Sequence, residues 1–184
     1  MKTQDATAII NGWPEDSREA AQIVLDTYGE PDEAAESLLI WHQAGPWKRV
    51  EASRTFHEHR FPVPHIDSVL SVLDYRVPPE KFTALAEFDG SVIAERTAGE
   101  VSARCHDEQA NFLALNLVHD IVTGDKTVEE ARRYYAKEFL DVRRGRPTPY
   151  MDGLRFTPST EPTTDADERM LSDQDLEQAA EEGK

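Results

Sequence analysis

Three of the six histidines in this chain fall within nine residues, in the run HEHRFPVPH from His57 to His65. Side chains alternate along an extended strand, so His57 and His59 are expected on one side and Glu58 on the other. Two imidazoles presented in that way can grip a divalent metal such as zinc. A catalytic zinc site adds a third protein ligand and leaves one position open. His65 is the third ligand nearest in sequence, and His42, His106 and His119 are the alternatives. The competing expectation is a polar linker that Pro62 and Pro64 keep extended.

A second set of residues surrounds the single cysteine. Cys105 precedes His106, Asp107 and Glu108 at the expected start of a helix, where the helix dipole stabilises a thiolate. Neighbours in a strand face opposite sides, so His106 is badly placed as its base, and His57 or His119 would have to serve. The simpler expectation is a small buried hydrophobe. Further on, Asn116, His119 and Asp120 lie within about one helical turn. They are candidates for hydrogen bonding and general-base work, or for a satisfied network between helices. Gly124-Asp125-Lys126-Thr127 is not a phosphate loop, because the upstream glycine is missing and Thr127 reads as a helix cap. Arg143, Arg144 and Arg146 close a basic stretch interspersed with acids. With Trp41 and Trp47 they are the candidate anion or partner contact, and they are also where the acidic end of the chain could dock on its own domain.

The elements that must position these groups have to come from a chain of 184 residues with a formal charge of −16. That length suffices for one domain with its own core. The charge repels nucleic acid and anionic membranes, so neither is an expected partner, whereas a protein partner is. One cysteine excludes an internal disulfide, and no apolar run approaches a membrane span. A soluble, cytoplasmic protein is the expectation.

Pro14 to Tyr28 reads as a helix closed by Gly29. SLLIWHQAGPWKRVEAS reads as a hairpin around Gln43 to Pro46, with Trp41 and Trp47 packed on either side of its loop. In HIDSVLSVLDY, Ile66, Val69, Leu70 and Leu73 recur at helical spacing and predict a helix, followed after Pro78-Pro79 by a shorter one in EKFTALAEF. SVIAER and EVSARC alternate about Thr97-Ala98-Gly99, a second hairpin with Val101, Ala103 and Cys105 inward. Asp107 caps an apolar helix ending at Gly124, and Thr127 opens a last helix with a capping box. The fold expected is α+β, a small antiparallel sheet of two hairpins packed against several helices, over residues 13–156. Residues 1–12 are expected to be flexible. From residue 157 onward, nine acidic residues against two basic ones, without an aromatic, predict a disordered acidic tail.

FDGSVIAERTAGEVSARCHDEQANFLALNLVHDIVTGDKTVEEAR, with YGEPDEA and GPWKR upstream, resembles a conserved prokaryotic protein family of unknown function. The resemblance covers roughly residues 13–150 and implies a single compact domain without any assigned activity, cofactor or catalytic residue. The His-x-His run also resembles the ligand run of cupins, but Val63 and Pro64 stand where that pattern has its carboxylate. Taken together, the sequence favours a non-catalytic binding or regulatory module without a cofactor. The alternative is a metal-dependent hydrolase or lyase built on His57, His59 and His65, with a divalent ion such as zinc. His119, Asp120 and Cys105 are the remaining catalytic candidates.

Overall fold

A computed structural model describes residues 5–183. A short helix α1 (Ala6–Ile10) leads into α2 (Glu15–Tyr28), and strands β1 (Glu33–Ala35), β2 (Leu38–His42), β3 (Arg49–His59) and β4 (His65–Asp74) follow as a meander. After a single turn at Pro79–Lys81 come α3 (Phe82–Phe88), the hairpin β5 (Val92–Glu95) and β6 (Glu100–Cys105), then α4 (Glu108–Thr123), α5 (Val128–Arg143) and, last, α6 (Asp173–Glu182). The six strands form one antiparallel sheet in the order β1-β2-β3-β4-β6-β5. The class is therefore α+β, but the sheet is larger than two hairpins.

Strand alternation sorts the sheet into two faces. Val50, Ala52, Val69, Leu73, Val101 and Ala103 are buried on the inner face, which α2 and α4 cover. Asn111 of α4, fully buried, donates from Nδ2 to the Val69 carbonyl and to Ser71 Oγ, at 3.1 and 2.9 Å, and so keys the helix to β4. Leu113, Leu115 and Leu117 are also buried, each stabilising the fold by about 2 kcal/mol of apolar burial. The outer face carries Arg49, Glu51, Glu100 and Arg104 beside Leu70 and Val72 and is mixed in character. The caps read from the sequence are formed: Asp107 accepts from the Ala110 amide, Gly124 takes the left-handed conformation, and Thr127 and Glu130 close a capping box.

Three expectations need correction. Residues 66–73 are not a helix but the centre of β4, a strand hydrogen-bonded on both sides, by β3 and β6. Of the stretch expected to be flexible, residues 1–4 lie outside the described residues, while the rest forms α1 and buries Ala6 and Ile10 in the core. The C-terminal segment is not free chain throughout. Thr163 is buried and donates its hydroxyl to the Gly99 carbonyl at 2.8 Å, and the Asp165 amide donates to the Arg96 carbonyl at 3.1 Å. Arg96 also pairs with Asp165, at 3.1 Å, and with Asp167. Composition counts apolar surface but not such specific pairings, which is why the docked stretch escapes it. Beyond it, Ser172 and Asp175 form a capping box that starts α6, which buries none of its residues.

Candidate metal centre

The five residues between β3 and β4 decide where the histidines go. Phe61 plugs this connection into the helical layer: its ring lies 5.1 Å from that of Tyr135 and 6.4 Å from that of Phe88, with the Arg132 guanidinium 3.9 Å above it. His59 and His65 thereby become cross-strand partners whose rings lie 5.0 Å apart. Asp67, two residues beyond His65, shares its face by alternation and is fully buried. The turn after α3 delivers Asp89 and Ser91, joined by a bond from the Ser91 amide to Asp89 Oδ1 at 2.8 Å. Cys105, at the end of β6, completes the surround.

His65 Nε2 lies 2.9 Å from Asp67 Oδ1, and His59 Nδ1 lies 3.3 Å from Asp67 Oδ2. One donor atom from each of His59, His65 and Asp67 lies within 4.8 Å of the others. In a tetrahedral site with bonds near 2.1 Å, donor atoms stand about 3.4 Å apart. The two imidazole–carboxylate distances, 2.9 and 3.3 Å, lie close to that spacing. Neighbouring groups orient these donors: His65 Nδ1 sits 2.8 Å from the Val63 carbonyl, so that Nε2 faces the cluster, and Ser91 Oγ donates to Asp67 Oδ2. His59 Nε2 is 3.6 Å from Asp89 Oδ1, and Cys105 Sγ is 3.4 Å from His65 Nε2.

Asp67 Oδ1 nevertheless makes no aligned hydrogen bond. Its close neighbour is His65 Nε2 at 2.9 Å, a charge contact without hydrogen-bond alignment, and a metal cation on this oxygen would take the place of that contact. Ser68 Oγ, Asn111 Oδ1 and Glu138 Oε2 share the condition, but Asp67 is the only one of them in the cluster with two imidazoles. The electrostatics agree with the geometry. The Asp67 carboxylate beside it, helped by Cys105 and the Val63 carbonyl against the effect of burial, pushes the His65 imidazole up to about 11. Without a metal His65 is an imidazolium, and an incoming cation must displace its proton. Burial raises the Asp89 carboxyl, only partly offset by the Ser91 amide and His59. Burial also pushes up the Cys105 thiol and the Tyr135 phenol. Cys105 is thus a poor nucleophile.

The other expected site residues are spread over the fold. His57 pairs with Asp67 in the ladder, but its exposed side chain lines a shallow depression with Thr55, Ser68 and Arg104. His42 pairs with Glu33 at 2.6 Å near the sheet edge. His119 Nδ1 contacts the Tyr75 hydroxyl at 2.9 Å and its ring stacks on Phe156. Asp120 receives Lys126 Nζ at 2.7 Å and the Tyr150 hydroxyl at 3.0 Å, and Asn116 ties down the chain at Tyr150, Gly153 and Arg155. Trp41 and Trp47, expected on a partner-facing surface, are instead buried and donate to the Gly29 carbonyl and to Glu108. Arg144 and Arg146 both turn to Asp141, at 3.8 and 3.3 Å. Arg143 lines a cavity of about 460 Å³, together with His65, Cys105 and His106.

Asp67, Asp89 and Ser91 escape the sequence reading. His65-Ile66-Asp67 is a His-x-Asp pair that shares one face only if the segment is a strand, and the helical spacing of its apolar residues conceals this. The carboxylate that the His-x-His run lacks is thus supplied two residues after the last histidine. No protein-family model, no curated protein and no solved structure matches this chain.

Proposed function

We propose that the protein is a metal-dependent hydrolase acting on a small molecule, with a divalent ion of the zinc class held by His59, His65 and Asp67. The observation that carries this reading is the fully buried Asp67 carboxylate, with the His65 and His59 imidazoles 2.9 and 3.3 Å from its two oxygens and one donor atom of each residue within 4.8 Å of the others. Two histidines and a carboxylate leave an open position on a tetrahedral ion, and an ion so held supplies an activated water near neutral pH. Asp89 and Ser91 hold the carboxylate and His59 in place, and the cavity beside His65 gives a substrate room. The test is metal analysis of protein purified without an affinity tag, alongside His65→Ala and Asp67→Asn. About one equivalent of metal is expected in the parent and a loss of at least tenfold in affinity in the variants. A parent that holds no metal and whose thermal stability ignores EDTA refutes the reading.

A specific observation favours a second reading, a non-catalytic partner-binding module. Met170, Leu171 and Leu176 are exposed on and before α6, an acidic helix none of whose residues is buried. Removal of residues 168–184 abolishes partner capture on this reading, and leaves any metal-dependent hydrolysis intact on the first.

A further inference from the structure

We propose that the cavity beside the metal cluster binds a small molecule with an apolar body and a terminal carboxylate, and that Arg143 is the partner of that carboxylate. The proposal rests on the hydrolase reading for the position of the reacting bond, but not for the binding itself. The cavity, about 460 Å³, is of the size that takes small ligands. Its apolar wall is made by Pro62, Val63, Tyr135, Phe139, Val142 and Met151, and His65 and Cys105 also line it. Val63 and Val142 remain 42% and 39% exposed, an uncovered apolar rim that a ligand would shield.

The charge on the wall points to the other end of the ligand. Arg143 Nη1 donates to the Phe139 carbonyl at 2.8 Å, and its guanidinium lies 3.5 Å above the Phe139 ring. Both contacts fix it without neutralising it. Among the described residues no carboxylate lies within ion-pairing distance of Arg143, whereas its neighbours Arg144 and Arg146 both spend themselves on Asp141. Asp107, the acid in the wall, accepts the Ala110 amide at 2.9 Å as the cap of α4. A planar, permanently charged donor on the wall of an apolar cavity recognises a carboxylate in preference to a neutral polar group. The substrate class that follows is an ester or amide on an apolar acid, with its free carboxylate at Arg143 and its scissile carbonyl toward His65. Hydrolysis adds water across the acyl bond, releasing a carboxylic acid and an alcohol or amine, and needs no further reactant.

The test is calorimetric titration with phenylacetate and its neutral counterpart phenylacetamide, on the parent and on Arg143→Gln, as purified and after EDTA. Because Arg143 is exposed, the variant is expected to keep the parent's circular dichroism and melting temperature. The parent should bind the acid about tenfold more tightly than the amide, with or without EDTA, and Arg143→Gln should erase that preference. Equal affinities in the parent, or a preference that survives Arg143→Gln, overturn the proposal. Zinc uptake measured on the same samples separates the two readings. Stoichiometric zinc without acid preference removes the cavity assignment alone, and acid preference without zinc uptake removes the hydrolase alone.

Discussion

The strands β3, β4 and β6 carry a charged cluster at each end, and the two are built on opposite terms. At one end, on the outer face, Glu100 receives Arg49 Nη1 on both oxygens, at 3.0 and 2.9 Å, and Lys48 Nζ at 2.9 Å. Lys48 also reaches Asp74, and Arg49 reaches Glu51, each at 2.7 Å. Every carboxylate there has a permanent cation. At the other end, on the inner face, Asp67 and Asp89 have only imidazoles, a hydroxyl and an amide, and His65 Nε2 meets Asp67 Oδ1 at 2.9 Å without hydrogen-bond alignment. The first arrangement pins strands and asks for nothing more. The second holds donor atoms at ligand spacing and relies on a titratable imidazolium whose place a metal ion can take.

Added zinc is the largest way to separate the two ends. At a free concentration about a thousand times the dissociation constant, an ion that binds only the folded state stabilises it by about 4 kcal/mol. The parent and Glu100→Gln should both gain that amount in urea unfolding, and Asp67→Asn should gain almost none. Equal gains in all three proteins would place the ion elsewhere and erase the contrast.

A smaller effect is expected where the C-terminal segment meets the Glu100 end. Gly99, at the turn before β6, has φ +66°, and a Cβ there would stand 2.3 Å from the Thr163 carbonyl carbon. Gly99→Ala therefore strains the turn and pushes the docked segment away, at a combined cost of about 2 kcal/mol. Amide exchange should rise at residues 163–167 while the core of β4 stays protected. Unchanged exchange at 163–167 would mean that the segment is not held by this contact.

These clusters also show what could be read without a structure. The helices α2, α4 and α5 announce themselves through caps and periodicity, and the hairpins β2-β3 and β5-β6 through their turns, because both signals are local. β4 carries Ile66, Val69, Leu70 and Leu73 at helical spacing and is nevertheless a strand, since β3 and β6 bond to it from both sides and its flanking faces are both partly buried. That one reversal hides the shared face of His65 and Asp67. His59 and His65 were visible as metal candidates, but Asp89 and Ser91 reach them only through the turn after α3, a contact that spacing along the chain does not encode. Likewise the pairing of the C-terminal acids with Arg96 depends on where the β5-β6 turn lies in space.

The smallest expected effect concerns Glu100 alone, and it tests whether its cluster is as self-sufficient as its geometry suggests. Burial opposes the charged form of Glu100, but the hydrogen bonds and charges of Lys48 and Arg49 outweigh it and hold the carboxyl below its ordinary value of 4.5. A carboxylate depressed on folding contributes stability that is fully present above its unfolded value and is lost as pH falls through its folded one. Glu100→Gln should therefore cost about 1 kcal/mol near neutral pH, the scale of well-formed but partly solvated ion pairs. The difference between parent and variant should stay level down to pH 4.5 and shrink below it. High salt should reduce the cost only modestly, because the bidentate Arg49 contact is partly shielded. A difference that instead grows toward acid pH would mean that Glu100 is raised on folding, and the two ends of the sheet would then be less unlike than their donor sets imply.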